Sequence, residues 1–159
     1  MSVPHPDQEP PEHRRFARYL HALKAVPEID EADLVAAVLR DPDAAMAESA
    51  VGRHMDRRAS QLLTAPAFTG WARAMAEVIA GRDFLTRRLG EWSLLRSIVL
   101  GEPWAVEKVT GASDWFQRLA TTTQIVSSLD ALRLLAGDGR TRRIRNAANR
   151  RLHQLEQTN

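Results

Sequence analysis

The side chains best equipped for chemistry crowd the C-terminal end. Arg140, Arg142, Arg143, Arg145, Arg150 and Arg151 place six guanidinium groups within twelve residues. A guanidinium is a planar fork of N–H donors that fits phosphate oxygens. Asn146 and Asn149 add amide groups to the same stretch. Arg140, Arg142, Arg143, Arg145, Asn149 and Arg150 are therefore the candidate phosphate or nucleic-acid contacts. Four tryptophans, Trp71, Trp92, Trp104 and Trp115, could stack on bases or line a ligand groove. Each sits in an apolar register that suits a helical core, and Trp104, beside the Gly101-Glu102-Pro103 break, is the best exception. Trp104, Asp114 and Arg118 form the second candidate group, a groove.

The stretch RHMDRRA, residues 53–59, sets His54, Arg57 and Arg58 on one helix face with Asp56 offset from them. A His–Asp pair can act as a general base only where a nucleophile lies within reach. A solvated helix surface explains the same charges without one. His13 and His21 are two helical turns apart, too far for one metal on one helix. The chain has no cysteine. Thiolate chemistry, disulfides and cysteine-bound zinc are excluded with it. HExxH, Walker, GxSxG and GxGxxG motifs are absent. No catalytic residue, metal or cofactor is assigned.

Helices must hold these side chains. Residues 1–12, with Pro4, Pro6, Pro10 and Pro11 and little apolar content, predict a disordered leader. Residues 13–157 predict a single all-α helical-repeat domain, because no useful stretch alternates with period two. Phe16, Leu20 and Leu23 mark the first helix, which starts near Pro11 and ends before Pro27. Asp30 caps the second, with Leu34, Val35, Val38 and Leu39 on its face. Asp41-Pro42-Asp43 restarts the chain, with Asp41 as cap and Pro42 at the first helical position. Met46, Ala50, Val51 and Met55 line the third helix. Pro66 opens the fourth, with Phe68, Trp71, Ala72, Met75 and Ile79 in register and Gly81 at its end.

Residues 83–100 fit one long helix or two helices split at Gly90. A short helix follows over 103–110. Ser113 caps the next, with Trp115 or Phe116, Leu119 and Val126 inward. The polar run TTTQIVSS, 121–128, reads as its weak end. Ser128 opens a helix with Leu129, Leu132 and Leu135, and Gly137-Asp138-Gly139 breaks it. Thr141 caps the last helix, on which Ile144, Ala147, Ala148, Leu152 and Leu155 form one apolar arc. Arg142, Arg143, Arg145 and Arg150 flank or oppose that arc. Arg151 falls inside it and must snorkel or find an acidic partner. Half of the arc is alanine, too little bulk for a membrane-surface helix.

Length and charge bound the rest. The 159 residues suit one domain, with 44% hydrophobic and 26% charged residues. Lys24 and Lys108 are the only lysines. Arginine with abundant alanine points to a GC-rich, bacterial genome, which weakens arginine content as a sign of nucleic-acid binding. Residues 1–50 carry five basic and ten acidic groups, residues 51–100 eight and four, and residues 101–159 nine and six. No membrane span and no secretory signal is expected, so the chain reads as cytoplasmic.

Residues 32–55 and 129–152 align without a gap: Val35 meets Leu132, Val38 meets Leu135, Ala47 meets Ile144 and Met55 meets Leu152. LDALRLLAGDGRTRRIRNAANRRL, 129–152, resembles a HEAT-type unit, whose second helix often carries a β-branched residue, an arginine, spacers and an alanine. Ile144, Arg145 and Ala147 stand at those positions. DPDAAMAESAV, 41–51, resembles the acidic-proline turn of that family, without the arginine after Ala47. SDWFQRLA, 113–120, is a third partial match. The resemblance covers about half the chain, and 60–112 departs from it.

The resemblance implies an all-α fold: a short right-handed solenoid of antiparallel helical hairpins, about eight or nine helices. An irregular α-bundle is the alternative. It implies a non-catalytic scaffold or accessory subunit that binds a protein partner. Nucleic-acid binding through the basic C-terminal half is the alternative. A third reading comes from HEAT-like DNA glycosylases, whose Trp- and Asp-lined basic groove Trp115, Asp114 and Arg118 resemble in type.

Overall fold

The computed structural model describes residues 10–158. The expected leader falls mostly on residues 1–9, outside the described residues, and the chain is already helical at Pro11. The described residues form nine α-helices and no strand. They are α1 (Pro11–Ala25), α2 (Glu31–Leu39), α3 (Ala44–Leu62), α4 (Phe68–Val78), α5 (Asp83–Leu100), α6 (Val106–Thr110), α7 (Asp114–Thr122), α8 (Leu129–Asp138) and α9 (Arg142–Gln157). A single 3-10 turn, Glu28–Asp30, leads into α2. Among the described residues, no helix is long and apolar enough to cross a membrane.

The chain gathers into two compact units, Met1–Leu89 and Gly90–Asn159. Their boundary falls inside α5, which runs unbroken through Gly90. One helix, not two, is thus the form that 83–100 takes. A Cβ on Gly90 would touch nothing within 4 Å, so this glycine is no close-packing point.

In the first unit α3 packs on α1 and α2, and α2 also meets α4. Leu23, Val35, Val38, Val51, Met55, Met75 and Ile79 are fully buried between them. The restart between α2 and α3 differs from expectation. Asp43, not Asp41, caps α3, its carboxylate accepting from the Met46 N–H at 3.1 Å. Asp41 is spent elsewhere: it accepts from the Asp43 N–H, from the Tyr19 hydroxyl at 2.6 Å and from Arg15. The Tyr19 hydroxyl, with the Asp43 N–H and Arg15, holds the Asp41 carboxyl below the usual carboxylate range. Asp30 makes no side-chain cap, because the 3-10 turn already feeds α2.

In the second unit α8 lies along α9, with α7 against both and α6 against α8. Phe116, Leu132, Leu135, Ile144 and Ala148 form the core. Phe116 is the inward residue of the α7 pair, while Trp115 meets the edge of Trp92 at 5.5 Å. Ser113, Ser128 and Thr141 cap α7, α8 and α9 as their sequence positions require. Helix α7 ends at Thr122, so the buried Val126 sits in the connection and not on the helix. Helix α8 continues through Gly137 and Asp138, and only Gly139 stops it. A Cβ on Gly139 would lie 2.5 Å from the Leu135 carbonyl and 2.8 Å from Ile144, which makes glycine a steric requirement there.

Candidate functional site

The candidate phosphate contacts and the candidate groove residues all lie in the second unit. Helix α9 exposes Arg142, Arg143 and Arg150, and these three pair with no acidic group among the described residues. The other polar candidates serve the fold. Arg140 pairs with Asp114 at 3.0 Å and donates to the Ala112 carbonyl, while its own N–H reaches the Gln117 side chain. Arg145 donates to the Gly139 carbonyl at 2.7 Å, and Asn149 to the Arg145 carbonyl. The six expected contacts thus divide into three exposed cations and three residues engaged within the unit.

Arg151 is buried at 7% exposure, as its place in the apolar arc demands. Its partner is not an acid. The guanidinium donates to the Gln124 and Val126 carbonyls at 3.1 and 2.8 Å and to the Gln124 side chain at 3.0 Å. It therefore fastens the connection between α7 and α8, whose backbone acceptors carry no sequence signal.

Asp114 and Arg118 do come together, one helical turn apart on α7. With Thr141, Arg143 and Ile144 they line a pocket of about 310 Å³ at the start of α9. Guanidinium groups and the free N–H groups of a helix N-terminus favour an anion. Asp114 opposes that, although Arg140 neutralises it. Trp104 lies elsewhere. It lines a separate open groove of about 760 Å³ with Pro103, Val106 and Leu134, and Glu102, Asp130 and Arg133 edge that groove. Val106 is 49% exposed, a large apolar side chain left to solvent. Leu100 and Leu129, chain neighbours of groove residues Gly101 and Asp130, are exposed as well. Arg133 and Asp130 pair at only 3.9 Å on an exposed rim, a contact worth little by itself.

The histidine of RHMDRRA finds a different acid from the one beside it in sequence. His54 is buried, and its Nε2 lies 2.7 Å from Glu31 on α2. Arg57 donates to His54 Nδ1 at 2.9 Å. Arginine has only donors, so Nδ1 accepts and the ring proton sits on Nε2, facing Glu31. Glu31 also accepts from Arg58 at 3.1 Å and from the Trp71 indole N–H at 3.0 Å. Asp56 lies 3.8 Å from Arg88. Trp71 is a core residue with a satisfied N–H. The Glu31 cluster joins α2, α3 and α4, and no hydroxyl or thiol is bonded to His54 among the described residues.

No family model, no curated protein and no solved structure matches the chain.

Proposed function

We propose that the chain is a non-catalytic binding module that takes a segment of a protein partner in the Trp104 groove. One observation carries the reading: an open groove lined by Trp104, Val106 and Leu134 together with Glu102, Asp130 and Arg133. Its volume, about 760 Å³, falls in the range of specific binding sites. Tryptophan is enriched among the residues that anchor protein interfaces. The HEAT-like reading of the hairpins α2–α3 and α8–α9, and the solenoid expectation with it, is supported by their register. Val35 and Leu132, Val38 and Leu135, and Ala47 and Ile144 are buried at equivalent places.

The test is a peptide library selected on the intact chain, with affinities then measured by calorimetry at low and high salt. Groove binders should weaken about tenfold or more on Trp104→Ala, a loss of about 1.4 kcal/mol or more, and hardly respond to salt. Peptides that bind the Trp104→Ala variant as tightly as the original would sink the reading.

Nucleic-acid binding is the second reading, favoured by the exposed Arg118, Arg142, Arg143 and Arg150. It requires affinity for duplex DNA, single-stranded DNA or tRNA that falls steeply with salt as counterions are released. That affinity should disappear when Arg142, Arg143, Arg145 and Arg150 become serine. Because Arg145 also holds the Gly139 carbonyl, the Arg142/Arg143/Arg150 triple variant is the cleaner comparison.

A further inference from the structure

A third cavity lies in the first unit, against the Glu31 cluster. It measures about 240 Å³ and is bounded by Lys24, Val26, Arg57 and Gln61 beside the buried His54 and Glu31. Its buried side-chain acceptors are already occupied. Glu31 accepts from His54, Arg58 and Trp71. His54 Nδ1 accepts from Arg57, and the Gln61 carbonyl oxygen accepts from Arg58. Glu28, also at the rim, holds an Arg58 nitrogen at 3.4 Å and is largely in solvent. The unused groups are donors. Arg57 spends one nitrogen, Nη2, on the Leu23 carbonyl and His54, and its Nε and Nη1 have no partner among the described residues. The Lys24 ammonium is exposed and has none either.

We propose that this cavity is a binding site for a small free oxyanion, a phosphate or a compact carboxylate, held by Arg57 and Lys24. Two acceptors fix the Arg57 guanidinium before any ligand arrives, so little side-chain freedom is lost on binding. Both forked edges of a guanidinium share Nη2, which Leu23 and His54 already occupy, so the anion takes single charge-assisted hydrogen bonds from the unspent Arg57 donors and from Lys24. Lys24, Arg57 and Arg58 outnumber Glu28 and Glu31 around the cavity. The carbonyl end of α1 would oppose an anion, but Arg57 covers the Leu23 carbonyl and Lys24 stands in that same last turn. The volume lies below the range typical of drug-sized ligands, which selects small ones. The site shares no lining residue with the Trp104 groove and does not depend on it.

The experiment is titration of the full chain with inorganic phosphate and, separately, with succinate, followed by calorimetry and by NMR of the arginine Nε–H signals. Saturable binding of at least one anion is expected, with the Arg57 Nε–H shifting most. Lys24→Glu changes an exposed position that bonds to nothing described, so it should fold normally and weaken binding about tenfold or more. Arg57→Met should abolish binding, with circular dichroism to check its fold. Failure of both anions to saturate would overturn the proposal. So would binding that Lys24→Glu leaves unchanged, or shifts centred on Arg142 and Arg143.

Discussion

At Glu31, burial and hydrogen bonding pull in opposite directions. Burial alone raises a carboxyl pKa. The donors on His54, Trp71 and Arg58, and the Arg58 charge, outweigh it and bring Glu31 from 4.5 down to about 2. A carboxylate depressed in the folded state stabilises fully above its unfolded value, and that stability is lost as the pH falls from about 4.5 to about 2. The shift corresponds to about 3 kcal/mol. Urea titrations across that range should show the loss in the original chain. Glu31→Gln should be destabilised by about 3 kcal/mol at neutral pH and show a flatter acid limb; an unchanged acid limb would remove Glu31 from the explanation. Arg151 makes the complementary case, a buried cation held by neutral oxygens. Arg151→Met fits the apolar arc but strips the Gln124 and Val126 carbonyls of their donor. A cost of about 2 kcal/mol is expected from those orphaned acceptors. Faster amide exchange confined to residues 123–128 would locate it, and exchange rates there equal to the original would contradict it.

At the level of elements, two glycines of similar sequence appearance should respond with opposite signs. Gly90 lies inside α5 with open space where a Cβ would go. Gly90→Ala should therefore stabilise the chain by about 0.5–1 kcal/mol, through the lower entropy of the unfolded state. Gly139→Ala should destabilise by about 1–3 kcal/mol, because the Leu135 carbonyl and Ile144 must move apart. Thermal melts of the two variants side by side check the contrast, and shifts of equal sign would refute it. The sequence carries part of this. Ser113, Ser128 and Thr141 are legible as caps, since an N-cap bonds an N–H three residues on and the rule is local. Asp41 and Asp43 are both good caps two residues apart, and the choice between them rests on Tyr19 and Arg15, more than twenty residues away. The same distance hides Glu31 as the partner of His54, whereas Asp56 stands nearby and points to the wrong pairing. Trp104 stands out beside a Gly-Glu-Pro break because a helix cannot continue there. The cavity at Arg57 leaves no such mark, since it depends on which donors the fold leaves unspent. Hairpins α2–α3 and α8–α9 share one further feature: His54 and Arg151 occupy aligned places, both buried, and each ties down the chain at or before the first helix of its hairpin.

For the whole molecule, the sequence suggests an acidic first third that could attract the basic remainder of another copy. The structure spends part of that charge inside the first unit. Glu31 is buried against His54 and Arg58, Asp41 holds Arg15, and Glu48 lies 3.7 Å from Arg82. Basic residues Arg53, Arg57, Arg58, Arg73, Arg82, Arg87 and Arg88 belong to the same unit as the acidic stretch. Residues 1–89 then carry thirteen acidic and twelve basic groups, so the unit as a whole is nearly neutral. Residues 90–159 carry ten basic and seven acidic groups, too weak an excess to drive head-to-tail stacking on a neutral neighbour. Exposed charges of this kind interact weakly even when paired, and any attraction between copies would be strongest at low salt, where screening is least. Light scattering at low salt should therefore return the monomer mass, 17.8 kDa, at every concentration. A mass that rises with concentration at low salt and falls back when salt is added would show that exposed charge still joins copies end to end. A rise that persists at high salt and disappears in Trp104→Ala would instead place a second copy in the apolar groove.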